Sequence, residues 1–494
     1  MQIPFGEWLP DQPEYLNPGA NTANNVYYAQ NSYKRFPSLV NYSSNTISTD
    51  SRGAGSFRDN AGNVYNFVSN NTDIYQLDGG TFTSRKSSLT GTNTDFWTFT
   101  QFGNYIIASN GVDAPQYYLM GTSTNFANLS TIVTSGTLPT FRVSGVVRDF
   151  LITGNQSTNQ NRIQWSGIND IATWELGSKQ SDLQDLPGSG GEIVHITSGE
   201  IGYVFRQNQI IRMDYVGGAT VFRLSVISPN RGAVYGRTVC QDNRRVFFYA
   251  DDGFFEINGD NVIAIGAEKV NRFFDLDLNK AFSDRICAAV DPFNQLALWL
   301  YPSKNDTANT TGICDKILIY NYATQKWSTA DASASTIFSQ FVGAYTVELM
   351  DIISENLDNI NIALDTDFWS GGQLLLGAID SDYKAAIFSG TENEGTIETR
   401  ELELFPGHRS SITNVRPIVD ATSTVTVKSR ERLADTPTES SVSTMTDSGD
   451  NPVRESGRYF RFKITTPSGS VWTHAQGVDI VATKIGLRWQ IKLI

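Results

Sequence analysis

Cysteine and histidine are both scarce in this 494-residue chain, at three of each. Cys240, Cys287 and Cys314 are odd in number, far apart and lack any CxxC spacing, so a complete disulfide framework is impossible. The same spacing speaks against a zinc site, and buried free thiols are the expectation. His195, His408 and His474 stand alone without an HxxxH pair, which leaves little for a histidine-rich metal centre. Charged residues are only 18%, so most of the polar surface must come from Asn, Ser, Thr, Gln and Gly. The longest apolar runs, near Leu374–Leu376 and Ala386–Phe388, fall far short of the roughly 20 residues that a membrane-spanning helix needs. The opening MQIPFGEWLPDQPEYLNPG has neither a basic n-region nor an apolar h-region, so it reads as no signal peptide and predicts a soluble protein made in a cytoplasm. No GxGxxG, P-loop or serine nucleophile elbow occurs. No cofactor, metal or catalytic residue is therefore assigned, and the chain is expected not to be an enzyme.

What is present points to β-structure. Hydrophobic residues make up 40% and aromatics 12%, enough for a substantial core, and the length predicts several domains or one large closed repeat. Asn and Gly favour tight turns while Thr favours strands. The net charge of −13 argues against gripping nucleic-acid phosphates across a wide basic face, though not against a pore through which DNA slides.

The organising stretch is Phe141–Glu175, FRVSGVVRDFLITGNQSTNQNRIQWSGINDIATWE. Short β-branched and aromatic runs, Val146–Ile152 and Ile163–Trp165, flank a polar loop, which predicts antiparallel strands. The same phrase recurs: Gly55–Leu77 closed by Asp78-Gly79-Gly80, then Asp95–Met120, Glu192–Gly218, Thr238–Gly266, and Ile286–Pro302 with Lys316–Ala330. Each unit runs roughly 35–50 residues with three or four strands, the length of a propeller blade. Thr346–Ile360 spaces Val347, Met350, Ile353, Leu357 and Ile360 at helical intervals, so a surface helix and a ragged strand both stay open there. Gly371–Gly390 returns to strand–turn–strand. The prediction is an all-β fold: an extended N-terminal arm over 1–50, a β-propeller of about six blades over 51–400, and a C-terminal β-sandwich-like domain over 401–494. The arm should pack through Trp8, Tyr15, Tyr27, Tyr28 and Tyr33. In the last domain, strands are expected at Val415–Val419, Thr424–Ser429, Gly457–Thr465 and Gly477–Trp489, with Leu433–Asp450 an exposed loop. Gly457–Thr465 alternates Phe460, Phe462 and Ile464 with Tyr459, Arg461 and Lys463, which predicts one apolar face and one basic, wet face.

Candidate constellations read structurally. Ser166–Trp174 is similar to the Asp-box that braces sialidase-like blades, without its glycine spacing. A sialidase would also need three converging arginines with a Tyr/Glu pair. Arg142, Arg148, Arg162, Arg206, Arg212, Arg231 and Arg237 are available, but no spacing selects three. Asp251-Asp252, Asp275/Asp277 and Asp365/Asp367 have the carboxylate pairing of a glycosidase or a calcium site. Each lies beside turn formers, where Asp caps the backbone. Arg244-Arg245 reads as a salt-bridged surface pair, and His195, inside an apolar strand, as a packing residue.

Several phrases carry a family resemblance. Asn17–Ala20 (NPGA), Ala23–Val26 and Tyr33–Leu39 (YKRFPSL) resemble the N-terminus of tail-nozzle, or packaged-DNA stabilisation, proteins of short-tailed bacteriophages. RIQWSGINDIATWE, GGEIVHITSGEIGYVFRQNQIIRMDYVGG and FFYADDGFFEINGDNVIAIG are similar to that family's propeller core. The closing GRYFRFKIT and WTHAQGVDIVATKIGLR resemble a β-domain of phage tail proteins. The likeness implies a virion tail protein assembled in a host cytoplasm. Its expected form is a homo-oligomeric ring, a hexamer by the family's plan, below a head–tail adaptor and joined distally to a fibre, spike or needle. Such a ring retains genomic DNA and conducts it at ejection without tight binding. The alternative is a receptor-binding or glycan-cleaving propeller.

Overall fold

The computed structural model describes the chain except for residues 16, 219, 305–311, 343–361, 363–368, 370–373 and 486–494. The helical spacing at Thr346–Ile360 and the Asp365/Asp367 pair lie outside the described residues. The predicted turns fold the strands into sheets. Asp78 and Thr81 pair across Gly79 (φ 53°) and Gly80 (φ 81°), both in the left-handed region that a two-residue hairpin turn requires and that glycine enters without a Cβ clash. Five separate four-stranded antiparallel sheets follow in chain order. They run from Gly53–Arg58 to Thr81–Lys86, Thr98–Phe102 to Ala127–Asn128, Phe141–Val147 to Asp182–Asp185, Ile193–Ile196 to Phe222–Ser228, and Cys240–Asp242 to Asn261–Ala264.

Two more blades share one strand. Lys326–Phe341 is 16 residues long, and its first half closes the sixth sheet against Cys314–Asn321, Leu296–Tyr301 and Cys287–Asp291. Past a bulge at Ala334/Thr336, its second half pairs with Leu374–Asp380 and becomes the innermost strand of a seventh sheet. Ala385–Gly390 follows, and Ser38–Asn41 from the start of the chain is the outermost strand. The described residues thus form seven propeller sheets in an all-β fold, against the expected count of about six blades. Only the seventh's two middle strands, within Gly371–Gly390, form a sequence unit of their own, because it borrows a strand at each side.

Packing between neighbouring blades closes the ring. Phe67, Ile106 and Tyr118 lie between the first and second, Val204, Phe150 and Ile211 between the third and fourth, and Leu298, Ile337 and Leu376 between the sixth and seventh. Val68, Leu77, Phe82, Ile379 and Ile387 seal the seventh against the first. Ser38–Asn41 covers the edge of Ala385–Gly390 and brings the seventh sheet to four strands. A short helix, Asn271–Asp277, not expected from sequence, sets Phe274 edge-on to Tyr249, Phe254 and Tyr301.

The second body is a β-sandwich. One sheet orders Val26–Ala29, Ser32–Arg35, Ala475–Ile485, Arg409–Val419 and Asn451–Gly457, with Gln2–Pro4 against Ala475–Ile485. The other holds Thr22–Asn24, Gly395–Glu398, Tyr459–Thr466 and Thr424–Arg430. Residues 1–50, expected as an arm lying on the body, are instead woven into both bodies. Asn24 also pairs with Thr329 of the sixth blade. Gly395–Glu398 already belongs to the sandwich, ahead of residue 401. The expected strands Thr424–Ser429 and Gly457–Thr465 are present, and Leu433–Asp450 contributes short strands at Thr438–Glu439 and Ser443–Thr444. Phe460, Phe462 and Ile464 face the core as expected. The opposite face is not wet: Tyr459 and Arg461 are buried, because the N-terminal segment and Glu398–Glu401 cover them.

Candidate functional site

The innermost strands do not meet on the propeller axis. They surround a well of about 560 Å³, within the usual range for a small-molecule site. Its wall mixes apolar strand residues, Phe57, Phe99, Val143, Val290 and Phe338, with polar ones, Ser56, Thr98, Gln241 and Ser339. Charge enters from residues at or just before the starts of the inner strands: Arg142, Glu192, Arg237 and Asp284. Glu192 already accepts from Asn155 Nδ2 and Gln207 Nε2, each at 3.1 Å. Arg142 lies 3.2 Å from Asp95.

Arg237 is placed differently. It follows Gly236, where a Cβ would lie 2.0 Å from the Val194 carbonyl oxygen, so the chain can press against the fourth blade only with glycine there. The Arg237 guanidinium sits 4.4 Å from the Phe96 ring centroid and donates to Thr336 Oγ1 at 3.0 Å. Among the described residues no carboxylate lies within ion-pair distance of it. Arg52, nearly fully buried, approaches the same Phe96 ring at 5.7 Å and donates to Asn71 Oδ1 at 3.2 Å. Arg52 and Arg285 flank Asp50 at 3.6 and 3.4 Å. Burial, then the neighbouring Arg285 and Arg237 charges, push the Arg52 guanidinium down to about 10, with Asp50 and Asp284 opposing.

The other sequence candidates are dispersed. Arg148 pairs with Glu200 at 3.0 Å, Arg162 with Asp185 at 2.6 Å, Arg212 with Asp214 at 2.8 Å and with Asp260, and Arg231 with Asp252. Arg206, fully buried, donates to the carbonyls of Pro187, Gly188 and Gly191 and to the side chains of Gln209 and Asn161. Of the seven arginines singled out, only Arg237 joins a guanidinium cluster, and its partners Arg52 and Arg285 carry no sequence signal of a shared site. Three arginines brought together from distant blades can be found only by closing the ring.

The carboxylates and histidines have structural partners. Asp275 pairs with Lys280 at 2.6 Å, while buried Asp277 accepts from the Tyr301 hydroxyl at 2.8 Å and Lys316 at 3.0 Å. Arg245 grips Glu256 through two hydrogen bonds of 2.7 and 2.9 Å. His408 is exposed, and His474 lies 3.3 Å from Asp420. His195 borders the well, and burial pushes its pKa down to about 4. All three cysteines are buried and free, and burial raises each thiol's pKa above its ordinary range. Among the described residues no group of three or more His, Cys, Asp or Glu side chains is arranged to hold a metal ion. Likewise no helix among them is long and apolar enough to cross a membrane.

Ser166–Trp174 is a brace. Asp170 accepts from the Ala172 amide at 2.9 Å and from Thr173 Oγ1 at 2.8 Å, with Lys179 holding its carboxyl below the usual range. Trp174, 1% exposed, donates to the Ile171 carbonyl at 2.8 Å. All of these groups are occupied in closing the outer turn of the third blade.

No family model matches the chain, and no curated protein matches it. Among solved structures, the extracellular domain of a hybrid two-component system from B. thetaiotaomicron is similar at 12% identity and a TM-score of 0.42, over 78% of this chain. The chain spans only 43% of that protein's length. BBS1N in complex with ARL6DN is similar at 10% identity over 72% of this chain and 99% of that one, with a TM-score of 0.41. The Neurospora crassa Pan2 WD40 domain follows at 6% identity over 71% and 94%, with a TM-score of 0.38. The propeller is established by the sheets themselves, and overlaps at these scores carry no argument about function.

Proposed function

We propose that this chain is a structural subunit of a virion tail, a nozzle protein that closes into a homo-oligomeric ring, a hexamer by the family plan, below a head–tail adaptor. The ring retains packaged DNA and conducts it at ejection, and its distal end receives a fibre, spike or needle. The observation that carries the reading is where the family-like N-terminal phrases fall. Asn17–Ala20, Ala23–Val26 and Tyr33–Leu39 all lie on the segment that stitches sandwich to propeller. Asn17 Oδ1 accepts from the Gly19 amide at 2.8 Å, and Asn25 bonds to Asp331 and the Glu394 carbonyl at 3.0 and 2.9 Å. These residues serve the rigidity of a two-body subunit, which a ring under internal pressure requires.

Electrostatics support the conduit. The net charge is −13, and Arg148, Arg162, Arg212, Arg231 and Arg245 each already face a carboxylate. A wall of such subunits repels duplex DNA instead of binding phosphate after phosphate. The duplex passes through the bore of the ring and not along the propeller axis, whose well is far too small. The rival, a glycan-cleaving propeller, needs a tyrosine paired with a carboxylate among converging arginines. Tyr235 borders the well, but its hydroxyl meets Ser283 Oγ at 2.8 Å.

Sedimentation and electron micrographs of the full chain, alone and with its adaptor, test the reading. A closed ring that does not bind duplex DNA tightly at low salt is expected. A subunit that stays monomeric beside its adaptor, a ring that binds duplex tightly, or turnover of sialosides or host polysaccharide would overturn it.

A further inference from the structure

The sequence holds two Asn-Gly steps, Asn110-Gly111 and Asn258-Gly259. Asparagine before glycine is chemically weak, because glycine carries no Cβ to keep its amide nitrogen away from the asparagine Cγ. Attack by that nitrogen forms a bond to Cγ, breaks the Cγ–Nδ2 bond and expels ammonia, which leaves a cyclic imide. Water then opens the imide at one of its two carbonyls, to aspartate or to isoaspartate. No oxidant or cofactor takes part. The ring closes only where the side chain is free to turn and the backbone can leave its extended form.

The fold treats the two steps differently. Asn110 is fully buried, and its Oδ1 accepts from the Val112 and Asp113 amides at 3.0 and 2.8 Å. Its Nδ2 donates to Asp113 Oδ2 at 2.8 Å, so turning the side chain breaks every one of these bonds at a buried site. Asn258 instead ends the strand Gly253–Asn258 of the fifth blade, and Gly259-Asp260 turns the chain back into Asn261–Ala264. Asn258 and Gly259 are exposed, and the space beside Gly259 is open. None of the described hydrogen bonds engages the Asn258 side chain or the Gly259 amide. The strand Asn261–Ala264 pairs on one side only and is mostly exposed, so this tip opens locally at little cost. Two side chains of the fourth blade oppose the opening. The Tyr203 hydroxyl donates to the Gly259 carbonyl at 2.8 Å, and Arg212, held by Asp214 at 2.8 Å, also grips Asp260.

We propose that Asn258 is a site of spontaneous deamidation whose rate is set by the Tyr203 and Arg212 clamp from the fourth blade. Either product adds a carboxylate beside Asp260, where it competes for Arg212, and isoaspartate also lengthens the backbone at the turn. Both changes fall on the contact between the fourth and fifth blades of one subunit, so the modification stands or falls independently of any ring.

The test is to incubate the full chain in mildly alkaline buffer and map its peptides by mass, with isoaspartate read by isoaspartyl methyltransferase labelling. In the folded chain the Asn258 peptide is expected to convert at least about tenfold faster than the Asn110 peptide, with isoaspartate among its products. In urea, which removes both the burial and the clamp, the two should convert at similar rates, and Asn258 faster than in the folded chain. Tyr203→Phe removes one hydrogen bond and should speed conversion at Asn258 about twofold or more, and Arg212→Gln should act in the same direction. Asn258 converting no faster than Asn110 in the folded chain, conversion to aspartate without isoaspartate, or an unchanged rate in both clamp variants would each overturn the proposal. Should neither variant fold, the unaltered chain decides: a folded-state rate at Asn258 equal to its rate in urea would show that nothing restrains the turn.

Discussion

Arg461 donates a 2.8 Å hydrogen bond to Glu14, 447 positions away in the chain. The pair explains why a face that alternation marks as basic and wet is buried. Around it lie Glu398 and Glu401, with side chains 4% and 1% exposed, and Arg430, which grips Glu401 through Nε at 2.6 Å and also through its terminal nitrogen. Glu14 itself remains about half exposed.

Burial therefore separates two substitutions that look alike. Glu401→Ala removes the buried carboxylate between Arg430 and Arg461, leaving both to lean on the half-exposed Glu14, and should cost about 3–5 kcal/mol of stability. Glu14→Ala removes a partly solvated partner and should cost no more than about 1 kcal/mol. Urea unfolding midpoints of the two variants check this, and equal losses would contradict the burial argument.

The N-terminal stitch depends on one close approach. A Cβ on Gly19 would lie 1.8 Å from the Glu7 carbonyl oxygen, which is backbone and has no rotamer to give. Gly19→Ala is expected to lose about 3 kcal/mol and to loosen residues 1–36 from the body. Thermal unfolding together with limited proteolysis at that segment reads both effects. A variant as stable and as resistant as the parent would show that the backbone yields at this crossing.

Acid should weaken the fold partly through His195. Its folded pKa is depressed to about 4 by burial, against about 6.5 in the unfolded chain. Between those values the unfolded state binds the extra proton, so stability rises with pH there. The contribution is fully present above about 6.5, is lost as pH falls toward 4, and amounts to at most about 3 kcal/mol. His195→Gln should flatten the stability profile between pH 6.5 and 4 relative to the parent, measured as the difference of unfolding free energies. Parallel profiles would mean that His195 titrates normally.

The strands and hairpins were legible because their causes are local. Asp78-Gly79-Gly80 and Asp252-Gly253 announce turns through backbone freedom, and runs such as Val246–Phe248 announce buried strands through residue type. Of the seventh blade only the hairpin in Gly371–Gly390 was legible, since Ser38–Asn41 and Ala385–Gly390 carry nothing in their own composition that names the other as partner. The site divides the same way. Arg237 stood among the sequence candidates, whereas Phe96, Arg52 and Thr336 became its neighbours only when the second, first and seventh blades met on one axis.

By itself the amino-acid order determined an all-β repeat with free thiols, acidic balance and braced turns, because side-chain volume, alternation and turn preference act over a few residues. Tertiary structure alone decided the number of blades, the weaving of residues 1–50 through both bodies, the burial of Arg461 and the unpaired charge of Arg237. Each of these depends on which distant surfaces exclude water from one another, and that is a property of the closed ring and the sandwich packed against it.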